Sequence, residues 1–196
     1  MRSVGKKIVA IASSTGGPKA LQELIPLLPS NLNAPVCIVQ HMPAGFTGAL
    51  AWRLDEISSI KVSEAVDGET VECGHAYISI GGKHLNLVQV GKHSQIRYSD
   101  EPHREGVKPS ANFMYESLID SDYDEIICVV LTGMGQDGTV GIRNLAQSKK
   151  TTILVQNEES CTVFGMPKAI VKAGLSEETY DLKSIARKII ENVGVF

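Results

Sequence analysis

The sequence carries no excess of basic residues: 19 Lys and Arg stand against 22 Asp and Glu, for a net charge of −3. A chain without a positive footprint offers little to a phosphate backbone, so nucleic acid is not the expected partner. Its four cysteines, Cys37, Cys73, Cys128 and Cys161, are scattered, with no C-x-x-C pair to suggest zinc or a redox dithiol. Cys37 in "APVCIVQ" and Cys128 in "EIICVVL" lie in apolar runs, where cysteine acts as a small core residue. The simplest reading is a reduced, cytoplasmic protein. After the basic start at Met1, the apolar run "IVAIA" is too short for a signal peptide or a membrane span. Low-complexity stretches, internal repeats, metal-ligand clusters and cofactor motifs are all missing, so neither a metal nor a cofactor is expected.

What remains is an ordinary globular composition, 43% hydrophobic and 21% charged over 196 residues, enough for one well-buried domain spanning residues 1–196. Four runs, "KKIVAIA", "APVCIVQ", "EIICVVL" and "TTILVQ", are apolar almost throughout and rich in β-branched residues. Such runs suit parallel strands buried on both faces. Three are followed by a Gly- or Pro-containing loop and a helical pattern: "PKALQELIPLLP", with Pro18 in the first turn, "AGFTGALAWRLDEI" and "DGTVGIRNLAQSK". The alternation predicts a doubly wound, mostly parallel α/β sheet of Rossmann-like form, with helices on both faces. Residues from about 62 to 100 read differently. "HAYISI", "HLNLVQV" and "SQIRYS", joined by "GGK" and "GKHS" turns, predict an antiparallel hairpin insertion at one edge of the sheet. The last segment aligns Leu182, Ile185, Ile189, Ile190 and Val193 on one face of a closing helix.

In open α/β sheets ligands bind outside the carboxyl ends of the strands. Those ends present Ser13, Ser14 and Thr15, then Gln40 and His41, then Asp137. Serine, histidine and aspartate are the parts of a nucleophile, base and orienter set. Each has an ordinary alternative: Ser14 and Asp137 precede helices and suit N-caps, and a lone histidine is usually a loop or packing residue. Nothing in the pattern separates Ser13 from Ser14. Gly16, Gly17 and the "TGMG" loop admit close backbone approach, either for anion-binding N–H groups or simply for tight turns. A nucleotide- or phosphate-binding module is the main rival, but "SSTGGP" fits neither G-x-G-x-x-G nor G-x-x-x-x-G-K-[ST]. An α/β-hydrolase is disfavoured by the lack of G-x-S-x-G and by the order Ser, His, Asp. A non-catalytic docking module is the remaining alternative.

Several blocks are distinctive together: "IASSTGGP", "QHMPAGFT", "EAVDGE", "GHAYIS", "LTGMGQDG" and "QNEESCTVFGMPKAI". In this order, from Ile8 to the last helix, the chain resembles the catalytic domain of bacterial chemotaxis protein-glutamate methylesterases of the CheB type. The resemblance implies that Ser14, just before Thr-Gly-Gly, is the nucleophile, with His41 as base and Asp137 as its partner. It implies hydrolysis of γ-glutamyl methyl esters on the cytoplasmic helices of chemoreceptors, and in many members glutamine deamidation. Backbone N–H groups near Thr15, His41 or Met134 are then candidates for an oxyanion hole. Residues Asn157 to Pro167 either line a substrate groove or form a buried loop held by Phe164 and Met166, with Glu158 and Glu159 solvated. His75, His84, His93 and His103 are expected at the surface.

The chain also departs from the family pattern. Ala12-Ser13 replaces the usual Gly-Ala, which would add a hydroxyl from Ser13 to the edge of the site. "KPSAN" (Lys108 to Asn112) replaces Arg-Pro-Ser-Val-Asp, which removes a carboxylate and exchanges a guanidinium for an ammonium. The family usually carries an N-terminal phospho-receiver domain of ~120 residues, one ordinary domain's worth. Here Met1 stands a few residues before the first strand, as in a stand-alone member or an excised part, and the expectation is activity that needs no phosphodonor.

Overall fold

The structure is a computed structural model that describes residues 5–196; the basic start at Met1 and Arg2 lies outside them. The strands are β1 (Lys7–Ser13), β2 (Val36–Gln40), β3 (Lys61–Glu64), β4 (His75–Ile78), β5 (His84–Val90), β6 (His93–Ser99), β7 (Glu125–Val130) and β8 (Lys150–Val155). The α-helices are α1 (Gly17–Leu24), α2 (Thr47–Ile57), α3 (Ala111–Ser117), α4 (Thr139–Ser148), α5 (Met166–Lys172) and α6 (Leu182–Val193).

Six strands form one sheet in the order β3-β4-β2-β1-β7-β8, and every pairing in it is parallel. The central strands are apolar on both sides because both sides are covered. On β1, Val9 and Ile11 join a core with α1, α2 and α6, while Ile8, Ala10 and Ala12 join a second core with α3, α4 and α5. Each aliphatic side chain so buried contributes about 1.5–3 kcal/mol. On α6, Leu182, Ile185, Ile189 and Val193 are buried and Ile190 packs at the rim, with Asp181 accepting from Ser184 N–H as N-cap. The chain winds outward from β1 to β2 on one side and returns to β7 on the other. The crevice beyond the ends of β1, β2 and β7 is therefore the switch point at which such sheets bind ligands.

The middle of the chain differs from expectation. Residues 61–64 and 75–78 belong to the parallel sheet, and the antiparallel ribbon is confined to β5 and β6. All four residues of β4 are buried, as in a strand covered on both faces, but its brevity and its His75 make it look like one arm of a hairpin. The ribbon packs on a face of the sheet instead of extending an edge: Leu85, Leu87 and Ile96 join the second core beside Met114 and Leu118.

Candidate active site

The parallel ladders continue one residue past the strand ends. His41 N–H donates to Ser13 O at 3.0 Å, and Ser14 N–H donates to Thr132 O at 3.0 Å. Ser14 and His41 thus stand at the tips of neighbouring strands, which run ~4.8 Å apart. Gln40, buried at the same edge, clamps the two tips: its Nε2 donates to Ser14 O and to His41 O, each at 3.0 Å. Its Oε1 accepts the Ser13 hydroxyl at 2.6 Å. Ser13 is therefore wholly buried and does not border the site as expected, because strand alternation turns it toward the opposite face. Half-buried Ser14 keeps a hydroxyl without a hydrogen-bond partner among the described residues. Gly133 makes room for it. A methyl group there would lie 2.7 Å from Ser14 Cβ and 2.4 Å from Met166 Sδ.

Neither Ser14 nor Asp137 caps the helix that follows it. Gly16 and Gly138, with φ of 80° and 97°, occupy those N-cap positions and need no side chain there. Asp137 instead reaches across to α3. Its Oδ1 accepts from Ser110 Oγ at 2.6 Å and from Asn112 N–H at 3.3 Å, and its Oδ2 accepts from Ala111 N–H at 2.6 Å. Oδ2 also meets His41 Nε2 at 2.7 Å, with both side chains nearly closed to solvent. Burial by itself pushes the Asp137 carboxyl up. The hydrogen bonds from His41, Ser110 and the Ala111 N–H outweigh it and hold the group below the usual carboxylate range. An ionised carboxylate has no proton to give, so His41 Nε2 carries the proton of this contact and Nδ1 is left as an acceptor. That Nδ1 is buried and has no hydrogen-bond partner among the described residues. The structure thus joins His41 to Asp137 and leaves Ser14 unbonded to His41, a contact that often tightens only with substrate bound.

A second layer holds the carboxylate. Ser110 N–H donates to His84 Nδ1 at 3.1 Å, and His84 Nε2 donates to Pro102 O at 3.1 Å, with the ring wholly buried beside Phe113. Asn112 Oδ1 accepts from Gly138 N–H at 3.1 Å and from Gly141 N–H at 2.7 Å, and its amide donates to Glu105 at 3.2 Å. An aspartate could not make the last contact. Lys108 pairs with Asp100 away from the carboxylate. His84 and His75 are thus interior residues, contrary to expectation, whereas His93 and His103 are exposed. His75 shares a 2.8 Å hydrogen bond with Ser63 Oγ and stacks on Tyr77, and burial lowers its pKa to about 4.

Of the three backbone donors considered for an oxyanion, His41 N–H is engaged in the ladder and drops out. Thr15 and Met134 N–H have no partner among the described residues, and both side chains are exposed. The segment after β8 is a packed loop beneath this edge. Gly133 N–H donates to Val163 O, Met166 N–H donates to Gly133 O, and Thr132 Oγ1 donates to Thr15 O. Met166 is buried, while Glu158 and Glu159 are exposed. Among the described residues no group of three or more His, Cys, Asp or Glu is placed to hold a metal ion, and no helix is long and apolar enough to cross a membrane.

The same arrangement of strands and loops occurs in known proteins. The sequence profile of the CheB methylesterase family matches residues 9–189. The chain belongs to the CheB methylesterase family. It is 45% identical over 186 residues to the Bacillus subtilis protein-glutamate methylesterase/protein-glutamine glutaminase, covering 94% of this chain and 52% of that protein. The Geobacillus kaustophilus protein of the same description is 44% identical over 187 residues, 95% of this chain and 54% of its own length. This CheB-family chain thus spans about half the length of the curated relatives it matches. The crystal structure of the Thermotoga maritima CheB methylesterase catalytic domain superposes with a TM-score of 0.91 at 40% identity, covering 96% of this chain and 99% of that one. The sequence placed Gln40 at the strand tip without giving it a role as the clamp, and gave Ser110 and His84 no part in the site, because their partners are distant in sequence.

Proposed function

We propose that this chain hydrolyses γ-glutamyl methyl esters on the cytoplasmic helices of chemoreceptors, and deamidates glutamines there by the same acyl chemistry. Ser14 Oγ attacks the ester carbonyl as His41 Nδ1 takes its proton, and Asp137 stabilises the imidazolium through Nε2. The tetrahedral oxyanion is met by Thr15 N–H, just ahead of the positive end of α1, and by Met134 N–H from the loop after β7. Collapse breaks the C–O bond, and His41 returns the proton to departing methanol. A water activated by the same nitrogen then attacks the acyl-serine, releasing glutamate and restoring the Ser14 hydroxyl. The enzyme works in the cytoplasm on a protein substrate, without metal, cofactor or nucleic acid.

The observation that carries this reading is the His41–Asp137 contact at 2.7 Å through Nε2, which leaves Nδ1 buried and without a partner among the described residues, on the strand tip next to that of Ser14. Methanol release from a receptor cytoplasmic fragment carrying labelled methyl esters tests it, beside a Ser14→Ala control. Release that vanishes in the variant is the expected result. A folded wild-type protein that binds the fragment and releases nothing overturns the esterase and leaves a docking module.

A further inference from the structure

Next to the candidate site, α4 and α5 leave a cleft of about 430 Å³ whose charged lining is all of one sign. Arg143 from α4 and Lys168 and Lys172 from α5 line it, without a carboxylate among the lining residues. All three are exposed, and none forms an ion pair among the described residues. The trio makes the cleft a local positive patch on a chain with more acidic than basic residues. The helix dipole favours only Lys172, in the last turn of α5. Lys168 and Lys172 are four residues apart on one helix, where like charges repel. Lys168 also lies in the first turn of α5, the end at which the helix dipole disfavours a cation. The acidic groups around the site are engaged elsewhere, Asp137 with His41 and α3, Glu116 with Arg104 and Asn144.

The cleft is continuous with the site. Gly135 and Gln136, the two residues between Met134 and Asp137, form part of its wall. So does Gly165, whose N–H donates to Gly133 O under Ser14. The three cations therefore lie within reach of a protein segment that presents an ester to Ser14.

We propose that this cleft binds carboxylate side chains flanking the esterified residue, and so selects acidic helical segments as substrate; the inference rests on the esterase reading above. The Arg143 guanidinium offers a fork that fits a carboxylate with two hydrogen bonds, and the lysines add attraction that tolerates shifts in position. On a helix, residues three and four apart share a face. Carboxylates a turn or more from the ester therefore face the cleft while the ester faces Ser14. The contribution falls on capture of the substrate and not on bond making, so it acts on KM and is screened by salt.

The test is the double variant Lys168→Glu/Lys172→Glu, with Lys183→Glu/Arg187→Glu on α6, across the sheet, as a control of equal charge change. Each is assayed on the methylated receptor fragment and on p-nitrophenyl acetate, a small neutral ester that does not span the cleft. At low salt the first variant raises KM for the fragment about tenfold or more with kcat kept within about twofold, and the difference fades near 0.5 M salt. Turnover of the small ester and the behaviour of the control stay at wild-type level. A fragment KM within about twofold of wild type, or an equal loss in the control, overturns the proposal. Calorimetric binding of the fragment, read apart from turnover, separates it from the esterase reading. Weaker binding by the first variant upholds the cleft even if wild type releases no methanol, and equal or no binding overturns it.

Discussion

Replacing Asp137 with asparagine removes the charge from the site with the least change in shape. The carboxylate takes Ala111 N–H at 2.6 Å and His41 Nε2 at 2.7 Å on Oδ2, and Ser110 Oγ at 2.6 Å and Asn112 N–H at 3.3 Å on Oδ1. A carboxamide keeps only one of these oxygens. With its NH₂ in the Oδ2 position it would aim a donor at the fixed Ala111 N–H. In the Oδ1 position it meets only the longer Asn112 contact and a hydroxyl that rotates to accept. The second orientation is favoured, so His41 keeps its tautomer and its hydrogen bond, and the loss is the negative charge. A unit charge ~4 Å from an imidazolium, at an effective dielectric of ~20, is worth about 4 kcal/mol. That corresponds to roughly 10³-fold in a step that forms the imidazolium. Asp137→Asn is therefore expected to lower kcat for methanol release about 10³-fold with KM little changed. A kcat within about tenfold of wild type would refute the coupling of this carboxylate to the reacting imidazole.

Other outcomes follow from the same contacts. Gly133→Ala forces a methyl group against Ser14 Cβ and Met166 Sδ and should lower kcat/KM by roughly 10² through misplacement of Ser14, with circular dichroism unchanged. His84→Phe leaves the buried Ser110 N–H without its acceptor, and urea denaturation should find the protein destabilised by about 1–3 kcal/mol, with kcat also reduced. Burial holds His75 near about 4, below its ordinary 6.5, so the folded ring stays neutral while the unfolded chain takes up a proton first. This contribution is full above pH 6.5 and is lost as pH falls toward 4; urea midpoints should decline across that window, and His75→Phe should flatten the decline. Asp137 behaves in the same sense at lower pH. Its carboxyl is depressed, so its contribution persists through mild acid and fades only below the ordinary carboxylate range.

The strands were legible wherever burial on two faces imposed an apolar run, as in β1, β2 and β7, and the edge strand β8 was legible from its β-branched residues. Their carboxyl ends then marked Ser14, His41 and Asp137 without any knowledge of contacts. Other features depend on long-range packing, which local pattern does not encode. The engagement of the Ser13 hydroxyl by Gln40, which sets the two serines apart, is one such feature. The role of Asp137 as anchor to α3 required a loop 26 residues upstream to fold back upon it. His84 looked like a surface residue because a polar side chain at the start of a half-buried ribbon normally is one. β4 was misjudged because four buried residues are too few for a period to show.

The two serines side by side have a further consequence for how this chain guards against misassembly. Strand side chains alternate between faces, so a slip of one residue between β1 and its neighbours would exchange the two cores. Ile8, Ala10 and Ala12 would replace Val9 and Ile11, and the Ser13 hydroxyl would stand where the Ser14 hydroxyl now stands. Such a misfolded edge would still present a serine near His41, but Gln40 would lose its hydroxyl partner and Thr15 would fall on the left-handed position of Gly16. Rejection is completed in the interior, where large and small side chains would meet the wrong helices. A chain that presents Ser14 is therefore one whose two hydrophobic layers have already proofread its register.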